Sequence, residues 1–377
     1  MRIGLNLLYL LPSVAGGGET YARGLLEAIV KISDPQRYWI FVNKETRMSG
    51  LFRNQNYKVV LCKVSARLRE VRYAYEQLIF PHQIQKHKIS LLHSLGNVSP
   101  LRLSCKSVVT IHDLNFYNLG SLMPRKRRAV LRYFVTRGAR VADHIITVSE
   151  FSKRQIIELL GVPSEKITVI YNAPKKKPSH RTKFEAMQQS YAINKPYILA
   201  LSSPSPHKNI GNLIRAFNYL KELKRCEAKD LKLILVGHRP RDGGEVDRLV
   251  KNSPYRNDIV FTGYVPDEAL ATLYEHALIF VFPSIYEGFG IPVLEAFSYG
   301  TPVVCSRAAA IPEIAGDAAF YFNPLDPGDI AEAIFLLLCS EVLRRHLIEK
   351  GKERVSQFTW EETAKRTLEV YRKVLQG

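Results

Sequence analysis

The chain has 377 residues, a length that excludes a single small domain. Hydrophobic residues make up 46% and charged residues 24%, which is typical of an ordinary globular protein. Its net charge of +19 favours anionic partners, such as nucleic acid, anionic lipid or phosphorylated ligands. Five scattered cysteines, an odd number without metal-type spacing, argue against a disulfide framework and indicate a reducing, cytoplasmic location.

The N-terminal run Ile3–Leu11 imitates a short signal peptide. However, Asn6 and Pro12 interrupt it and three glycines follow, so a buried first strand is the better interpretation. No apolar run reaches the roughly 18 residues that a membrane-spanning helix needs.

Strand-like runs alternate with helical ones along the first half of the chain. Several are continuous apolar or β-branched runs, as expected for parallel strands that are covered on both faces. Between them, Ala22 to Val30 places its apolar residues on one helical face, and Ser149 is predicted to cap a helix that ends at Gly161. The predicted strands are Arg2–Leu10, Tyr38–Val42, Lys58–Cys62, Ile89–Ser94, Ser107–Asp113, His144–Ser149 and Ile167–Asn172.

Residues 173–195 contain prolines and three successive lysines but no long apolar run, which predicts an interdomain linker. The alternation then resumes. Asn209 is predicted to cap a helix with an apolar face from Ile210 to Leu220, and Thr359 opens a capping-box pattern for the last helix. The predicted strands are Tyr197–Ser203, Lys232–Gly237, Ile259–Val265, Leu278–Ser284, Pro302–Ser306 and Ala318–Asn323.

Two successive halves of alternating strands and helices predict an α/β protein with two doubly wound, Rossmann-like parallel sheets. Ligands of such sheets bind at the carboxyl ends of the strands, near a switch in strand order. We therefore expect the ligand in a cleft between two facing domains.

Gly16-Gly17-Gly18 follows the first strand and opens a helix, so its backbone could approach a phosphate or a developing anion. The alternative is a plain strand-to-helix turn. His112 stands at the carboxyl end of an apolar strand, where it could donate to an oxygen or accept a proton, although a lone histidine is more often structural. Lys208 lies between a strand and a helix, either binding a phosphate or simply solvated.

The strongest pattern is the stretch from Pro283 to Glu295. Glu287 lies in a glycine-containing loop after a buried strand, Pro292 suits the start of a helix, and Glu295 is predicted in the first turn of that helix. Two carboxylates and free backbone N–H groups are thus expected at one strand-to-helix junction, where they suit sugar hydroxyls and phosphate oxygens. A single such Glu would be explained by the helix dipole alone, but two are not.

This Glu-x7-Glu element, with Glu-Gly-Phe-Gly-Ile-Pro inside it, resembles the signature of glycosyltransferase family four, whose members are retaining enzymes of GT-B fold. The resemblance covers nearly the whole chain and is specific for family and fold, far less so for the sugar. The other matching motifs are Gly-Gly-Glu-Thr-Tyr near the N-terminus, Thr-Val-Ser-Glu-Phe-Ser from Thr147, Val-Ile-Tyr-Asn-Ala-Pro from Val169, Pro-His-Lys-Asn from Pro206, and Gly300 to Val304.

The resemblance implies that His112, Glu287 and Lys208 form the catalytic set. Glu287 would bind donor sugar hydroxyls, Lys208 would neutralise the diphosphate, and His112 would meet the sugar near the reacting centre. Glu295 would hold the ribose hydroxyls. The other implied donor contacts are Gly17, Gly18, Ser203, Gly237, Gly288, Phe289, Gly290 and Ile291, with Tyr264 and Val265 near the base.

The resemblance also implies an acceptor-side domain over residues 1–172, onto which helix 360–377 crosses back, and a nucleotide-sugar domain over residues 196–359. One departure is Ser203, which stands where many members carry an arginine, so that neutralisation would fall more heavily on Lys208. The acceptor hydroxyl would attack on the same face, and the departing phosphate would take its proton. No metal or other cofactor is expected, since Asp326-Pro-Gly-Asp329 is interpreted as a turn with a helix cap.

Basic residues around Arg125–Arg140 and Lys63–Lys88 are interleaved with apolar and aromatic residues, among them Tyr73, Tyr75, Leu78, Ile79, Phe80 and Tyr133. Such a face would suit peripheral docking on an anionic membrane and a lipid-linked acceptor, or would be a solvated basic face packed by its apolar side. The different-class alternative is a nucleic-acid-binding protein, supported by charge alone, without a recognisable module. A nucleotide-sugar epimerase or phosphorylase of the same fold is a further alternative.

The form of the motifs resembles bacterial mannosyltransferases of surface polysaccharide assembly and favours GDP-mannose as donor. UDP-glucose, UDP-N-acetylglucosamine and dTDP-rhamnose remain alternatives, because the base-reading contacts are largely made by backbone.

Overall fold

Each half of the chain folds around one parallel sheet in this computed structural model, which describes residues 1–12, 16–32, 37–49, 57–119, 123–191, 193, 196–223, 230–238 and 242–377. Unit 1 comprises Met1–Ala173 and Phe358–Gly377, and unit 2 comprises Pro174–Gln357. One of the five cysteines, Cys226, lies outside the described residues; the four described cysteines are free.

The sheet of unit 1 has seven parallel strands in the order β3-β2-β1-β4-β5-β6-β7. Its strands are β1 (Ile3–Leu7), β2 (Tyr38–Val42), β3 (Lys58–Leu61), β4 (Leu91–Ser94), β5 (Lys106–Ile111), β6 (His144–Thr147) and β7 (Ile167–Val169). Its helices are α1 (Gly17–Ile32), α2 (Lys44–Ser49), α3 (Arg69–Leu78), α4 (Phe80–Lys86), α5 (Asn115–Asn118), α6 (Arg125–Val141) and α7 (Glu150–Leu160).

The sheet of unit 2 has six parallel strands in the order β10-β9-β8-β11-β12-β13. Its strands are β8 (Tyr197–Ser202), β9 (Lys232–Gly237), β10 (Ile259–Gly263), β11 (Ile279–Phe282), β12 (Val303–Ser306) and β13 (Ala319–Phe322). Its helices are α8 (Phe184–Tyr191), α9 (Ile210–Glu222), α10 (Glu245–Lys251), α11 (Asp267–His276), α12 (Ile291–Ser298), α13 (Ile311–Ala315), α14 (Pro327–Cys339) and α15 (Glu341–Val355); α16 (Trp360–Gln376) follows in unit 1.

Every predicted strand is present, and the predicted helical faces are buried. Ala22, Leu25, Leu26 and Ile29 of α1 lie in the core of unit 1, and the apolar face of α9 lies in the core of unit 2. The strand ends differ: Arg2–Leu10 shrinks to β1, since the chain turns away from the ladder once pairing with β2 and β4 stops.

Four of the predicted caps form as expected. The side chain of Ser149 accepts from the backbone N–H of Ser152, Gly161 ends α7 in the left-handed conformation, and Thr359 accepts from the N–H of Glu362. Asp326 caps α14 through the N–H groups of Gly328 and Asp329, as the turn interpretation predicts.

Asn209 does not cap α9 through its side chain, and that prediction was wrong. Its backbone is left-handed, with φ of 59°, so the side chain turns away from the helix start. Instead, the amide Nδ2 donates to the carbonyl oxygens of Pro283 and Pro324, at 3.1 and 2.6 Å. It therefore ties the start of α9 to two loops at the edge of the sheet.

The segment predicted as a linker contains α8, because Met187 and Ile193 find buried positions and Phe184 stacks on His276 at 4.6 Å. Residues 192, 194 and 195 of that segment lie outside the described residues. Much of the remaining segment therefore packs as part of unit 2 rather than only connecting the two units.

The last helix, α16, packs on α1 in the core of unit 1 through Ala364, Leu368 and Tyr371. The ring of Trp360 lies so close to the backbone of α1 that a Cβ atom on Gly24 would meet it at 2.1 Å. Glycine at this position therefore lets the two helices approach.

A buried histidine connects this helix to the sheet. His93 Nδ1 lies 2.6 Å from Tyr371 Oη, and its Nε2 lies 2.7 Å from Thr110 Oγ1, which is 2.9 Å from Tyr21 Oη. Burial lowers the pKa of His93 to about 3, so the ring stays neutral in the folded protein.

We expect unit 1 to lose stability as pH falls from about 6.5 towards 4, because the unfolded chain then binds a proton that folded His93 excludes. At pH 5 the loss from His93 is about 2 kcal/mol. His93→Gln, which can still donate and accept a hydrogen bond, should flatten the pH dependence of the unfolding free energy measured with urea.

The flattening should be partial, because burial also lowers the pKa of His144, to about 4. The control is His180→Gln, since His180 is exposed. An unchanged slope between pH 7 and 5 in His93→Gln would show that His93 is not the group that titrates.

Candidate functional site

The carboxyl edge of the first sheet gathers the predicted residues of unit 1. Strand order reverses between β1 and β4, where α/β sheets form a ligand crevice. Gly17 and Gly18 begin α1 there, and their N–H groups have no acceptor within the helix. Tyr9, which sequence reasoning missed, donates its hydroxyl to the carbonyl oxygen of Gly18 at 3.0 Å and fixes this turn.

His112 follows β5 at the same edge and is partly exposed. Its Nε2 lies 2.9 Å from the carbonyl oxygen of Leu95, which can only accept, so Nε2 carries a proton. Burial lowers the pKa of His112, and the neutral ring therefore offers Nδ1 as an acceptor. Of the two roles that the sequence left open, this tautomer favours accepting a proton or hydrogen bond at Nδ1.

Two neighbours hold His112, and neither was found from the sequence. Its backbone N–H donates to Asn97 Oδ1 at 2.9 Å, and the ring of Tyr21 meets the imidazole edge-on at 4.9 Å. Asn97 lies in the loop after β4, and no local pattern marked it.

In unit 2, strand order reverses between β8 and β11, and Lys208 and Glu287 meet there. Lys208 Nζ lies 2.6 Å from Glu287 Oε1, although 79 residues separate them. The turn that carries Lys208, Pro206–Lys208, is tied to the loop after β11, because the N–H of Ile285 donates to the carbonyl oxygen of His207 at 2.8 Å. The exposed fractions of the two side chains, 25% and 16%, leave both accessible to a ligand.

The loop after Glu287 is fixed by burial on both sides. Tyr286 and Phe289 are buried, and the backbone carbonyl of Glu287 accepts from the N–H of Ala310 at 3.3 Å. Gly290 then turns into α12 with φ of 118°, a conformation that side chains rarely allow. Ile291, at the helix start, is buried as well.

Glu295 is the fifth residue of α12 and lies one turn beyond its start, so the prediction of the first turn was wrong. The hydroxyl of Tyr274 donates to its Oε2 at 3.3 Å, and the backbone of Lys175 also hydrogen-bonds it. Burial raises the pKa of Glu295, while the charge of Lys175 opposes the rise. Neither neighbour was predicted, and Lys175 lay in the supposed linker.

The remaining predicted contacts lie at the same edge of the second sheet. Ser203 follows β8, where its Oγ accepts from the N–H of Ser205 at 3.3 Å. Gly237 ends β9 directly against the backbone of Ser202. After β10, Tyr264 is 69% exposed and Val265 is buried, so Tyr264 is the one whose side chain can meet a ligand.

Among the residues that the structure describes, no group of three or more His, Cys, Asp or Glu side chains could hold a metal ion. No helix within the described ranges is long and apolar enough to cross a membrane.

Two family models match the chain: Glycosyltransferase Family 4 over residues 15–173 and Glycosyl transferases group 1 over residues 183–354. The O-antigen chain mannosyltransferase B of Escherichia coli is 32% identical over 292 residues, which are 77% of this chain and 76% of that protein. The serotype-specific mannosyltransferase WbdA of Escherichia coli is 28% identical over 63% of this chain, which spans only 29% of that protein's length.

Among solved structures, the sucrose-phosphate synthase of Thermosynechococcus elongatus matches with a TM-score of 0.79 at 19% identity. The match covers 100% of this chain and 99% of that chain. Together with the two parallel sheets, this likeness confirms the predicted fold of two Rossmann-like domains.

Proposed function

Since this chain belongs to the group 1 glycosyltransferases of family 4, we propose that it transfers a mannosyl group from GDP-mannose to a hydroxyl of a glycan or lipid-linked saccharide. The choice of mannose is supported by the relatives, of which the two described above are named mannosyltransferases. We further propose that transfer retains the anomeric configuration and takes place in the cytoplasm, at the inner face of the membrane.

The observation that carries the donor site is the Lys208–Glu287 pair at the reversal of strand order in unit 2. A carboxylate suits the vicinal hydroxyls of a hexose, and an ammonium group suits a diphosphate. The two side chains are held side by side, so one ligand that carries both vicinal hydroxyls and a diphosphate can bind the carboxylate and the ammonium group together. A nucleotide sugar is such a ligand.

In the proposed reaction, the bond between the anomeric carbon and the diphosphate oxygen breaks as the acceptor oxygen bonds to the same face of that carbon. The acceptor proton passes to the departing phosphate. Lys208 and the backbone N–H groups around Gly290 stabilise the charge that grows on the leaving diphosphate. The proposal requires no metal or other cofactor.

His112 and Glu295 have supporting roles in this proposal. Because His112 is neutral with Nδ1 free to accept, it receives a hydrogen bond from a sugar hydroxyl rather than donating a proton. Glu295, which accepts a hydrogen bond from Tyr274, also accepts hydrogen bonds from the ribose hydroxyls. Gly17 and Gly18 offer N–H groups to an anion at the start of α1.

The test is a thermal-shift series with GDP, GDP-mannose, UDP, UDP-glucose, dTDP and ADP. A ligand at 100 times its dissociation constant stabilises the folded state by about 2.7 kcal/mol, which gives a visible shift. We expect the shift with the guanine nucleotides and its loss in Glu295→Ala.

A shift with uridine or thymidine nucleotides alone would keep the enzyme class and replace the donor. The absence of any shift at saturating nucleotide, together with tight binding of a polynucleotide, would overturn the proposed function. Purified Tyr133→Ala serves as the control variant, because Tyr133 is exposed on α6 of unit 1 and has no role in the donor site.

A further inference from the structure

Helix α3 buries two charged side chains beside its tyrosines and exposes aliphatic side chains to solvent. Arg72 and Glu76 are buried, with 7% and 1% of their surfaces exposed, whereas Leu68, which precedes the helix, Val71 and Leu78 are each more than half exposed. A surface helix of a globular protein ordinarily has the opposite arrangement.

The polar residues of the inward face contact the end of β1 and the loop after β4. Glu76 Oε1 lies 3.5 Å from the amide nitrogen of Asn6, the penultimate residue of β1. The next residue, Gln77, donates to the carbonyl oxygen of Ser99 at 3.2 Å and accepts from the N–H of Leu101 at 2.9 Å. These polar contacts fix the rotation of α3, so that Tyr73 and Tyr75 are buried with them while Val71 and Leu78 stay exposed.

Helix α6 lies beside α3 and adds positive charge. The rings of Tyr73 and Phe134 are 5.7 Å apart. The pKa of Arg127 is lowered first by partial burial and second by the charge of Arg69, which indicates that the two guanidinium groups are close. The sequence of α6 contains no acidic residue, and its first three residues, Arg125–Arg127, are exposed.

The structure exposes only some of the apolar and aromatic residues that the sequence placed on this face. Tyr73, Tyr75 and Phe80 are buried, so the predicted aromatic face is wrong in those members. Tyr133 on α6, and Leu78 with the neighbouring Ile79, belong to the same predicted face and are exposed. The helices therefore combine aliphatic side chains with a cationic rim, and Glu70 is the acidic residue within α3 that shares the exposed side.

We propose that this surface, formed by Leu68, Val71, Leu78 and Ile79 beside Arg125–Arg127, docks the protein on an anionic lipid leaflet. Aliphatic side chains gain by entering the acyl boundary, and the cationic rim complements phosphate headgroups. Apolar contact plus a basic cluster supplies the two signals that peripheral binding needs. The inference extends the proposed function by naming the surface that would meet a lipid-linked acceptor, and the docking itself needs no turnover.

The experiment is sedimentation of the full chain with phosphatidylcholine vesicles, with and without phosphatidylglycerol. We expect binding only when phosphatidylglycerol is present, and weakening as salt rises. Replacing Arg125, Lys126 and Arg127 with serine should lower the partition coefficient about a hundredfold, since each cation near such a surface contributes about fivefold. Replacing Leu68, Val71 and Leu78 with serine should abolish binding even at low salt.

Two control variants match these changes on unit 2. The first replaces Arg248, Lys251 and Arg256 with serine and lowers the net charge by the same amount as the unit 1 charge variant. The second replaces Leu325 and Val342 with serine and removes exposed apolar side chains. Both should bind vesicles like the wild type. The nucleotide-induced thermal shift, measured on every variant, reports the proposed function separately from docking.

Equal binding to vesicles with and without phosphatidylglycerol would overturn the proposal. So would a loss of vesicle binding in the unit 2 variants as large as that in the unit 1 variants. So would displacement of the protein from vesicles by equimolar polynucleotide, which would identify nucleic acid as the preferred anion. Loss of vesicle binding with a retained nucleotide shift in the unit 1 variants would support it.

Discussion

Replacing Lys208 with Ala is expected to lower kcat/KM for sugar transfer by about 10²- to 10³-fold, because removing one preorganised donor from a developing anion costs about that much. Lys208 is the cation that contacts Glu287, at 2.6 Å, and Ser203 stands where the family resemblance leads one to expect a further cation. In the proposed reaction, the diphosphate charge would therefore be stabilised mainly by one side chain and by backbone N–H groups. Steady-state kinetics at saturating acceptor measures the loss.

The matched control is Lys251→Ala on the same unit. Lys251 also pairs with a carboxylate, Asp247 at 2.8 Å, but the lysine side chain is 65% exposed and the pair lies within α10. Its removal should leave kcat/KM within about twofold, since an exposed ion pair contributes little. An equal loss in both variants would mean that Lys208 acts through general charge and not through the site.

Glu287→Gln separates the two members of the pair. If both side chains engage one donor, the double variant should lose less than the sum of the single losses, because residues that act together are not additive. Strict additivity in this double-mutant cycle would show that the two side chains work independently.

The fold could be predicted well because the strands are apolar on both faces, a pattern that needs no knowledge of the partner strand. Strands such as Tyr38–Val42 and Lys232–Gly237 appear with the predicted bounds. Where the prediction overran, as at Ile167–Asn172, β-branched and apolar residues continue past the last ladder pair. A strand ends where its pairing with neighbouring strands stops, and local sequence does not determine that point.

The site was partly predictable for a related reason. Glycines, prolines and carboxylates at strand ends mark the loops, but contacts between distant segments decide what each side chain does. Asn209 carries a capping signal yet bonds Pro283 and Pro324 instead. Lys175 carries a linker signal yet reaches Glu295. Helix α3 shows the same limit, since its rotation is set by Asn6 and Ser99, which are distant in sequence.

Gly237→Ala is expected to lower the free energy of unfolding of unit 2 by about 3 kcal/mol or more. Gly237 has φ of 121°, and a Cβ atom there would lie 2.3 Å from the carbonyl oxygen of Ser202, a backbone atom that cannot rotate away. Backbone strain of this kind costs about 1–3 kcal/mol, and overpacking costs about as much again. Urea unfolding followed by circular dichroism would measure the change.

Gly263→Ala is the matched control, because Gly263 ends the neighbouring strand β10, also has positive φ, at 73°, and has no atom within 4 Å of the added Cβ. It should cost only the conformational strain, about 1–2 kcal/mol. Equal losses in the two variants would show that strain alone accounts for Gly237. A larger loss at Gly237, with faster hydrogen exchange of the His238 amide that donates to Ser202, would locate the effect in the contact between β8 and β9. In that case, the close packing of the ends of β8 and β9 would explain why a glycine stands at position 237. The family resemblance assigns this glycine to donor binding.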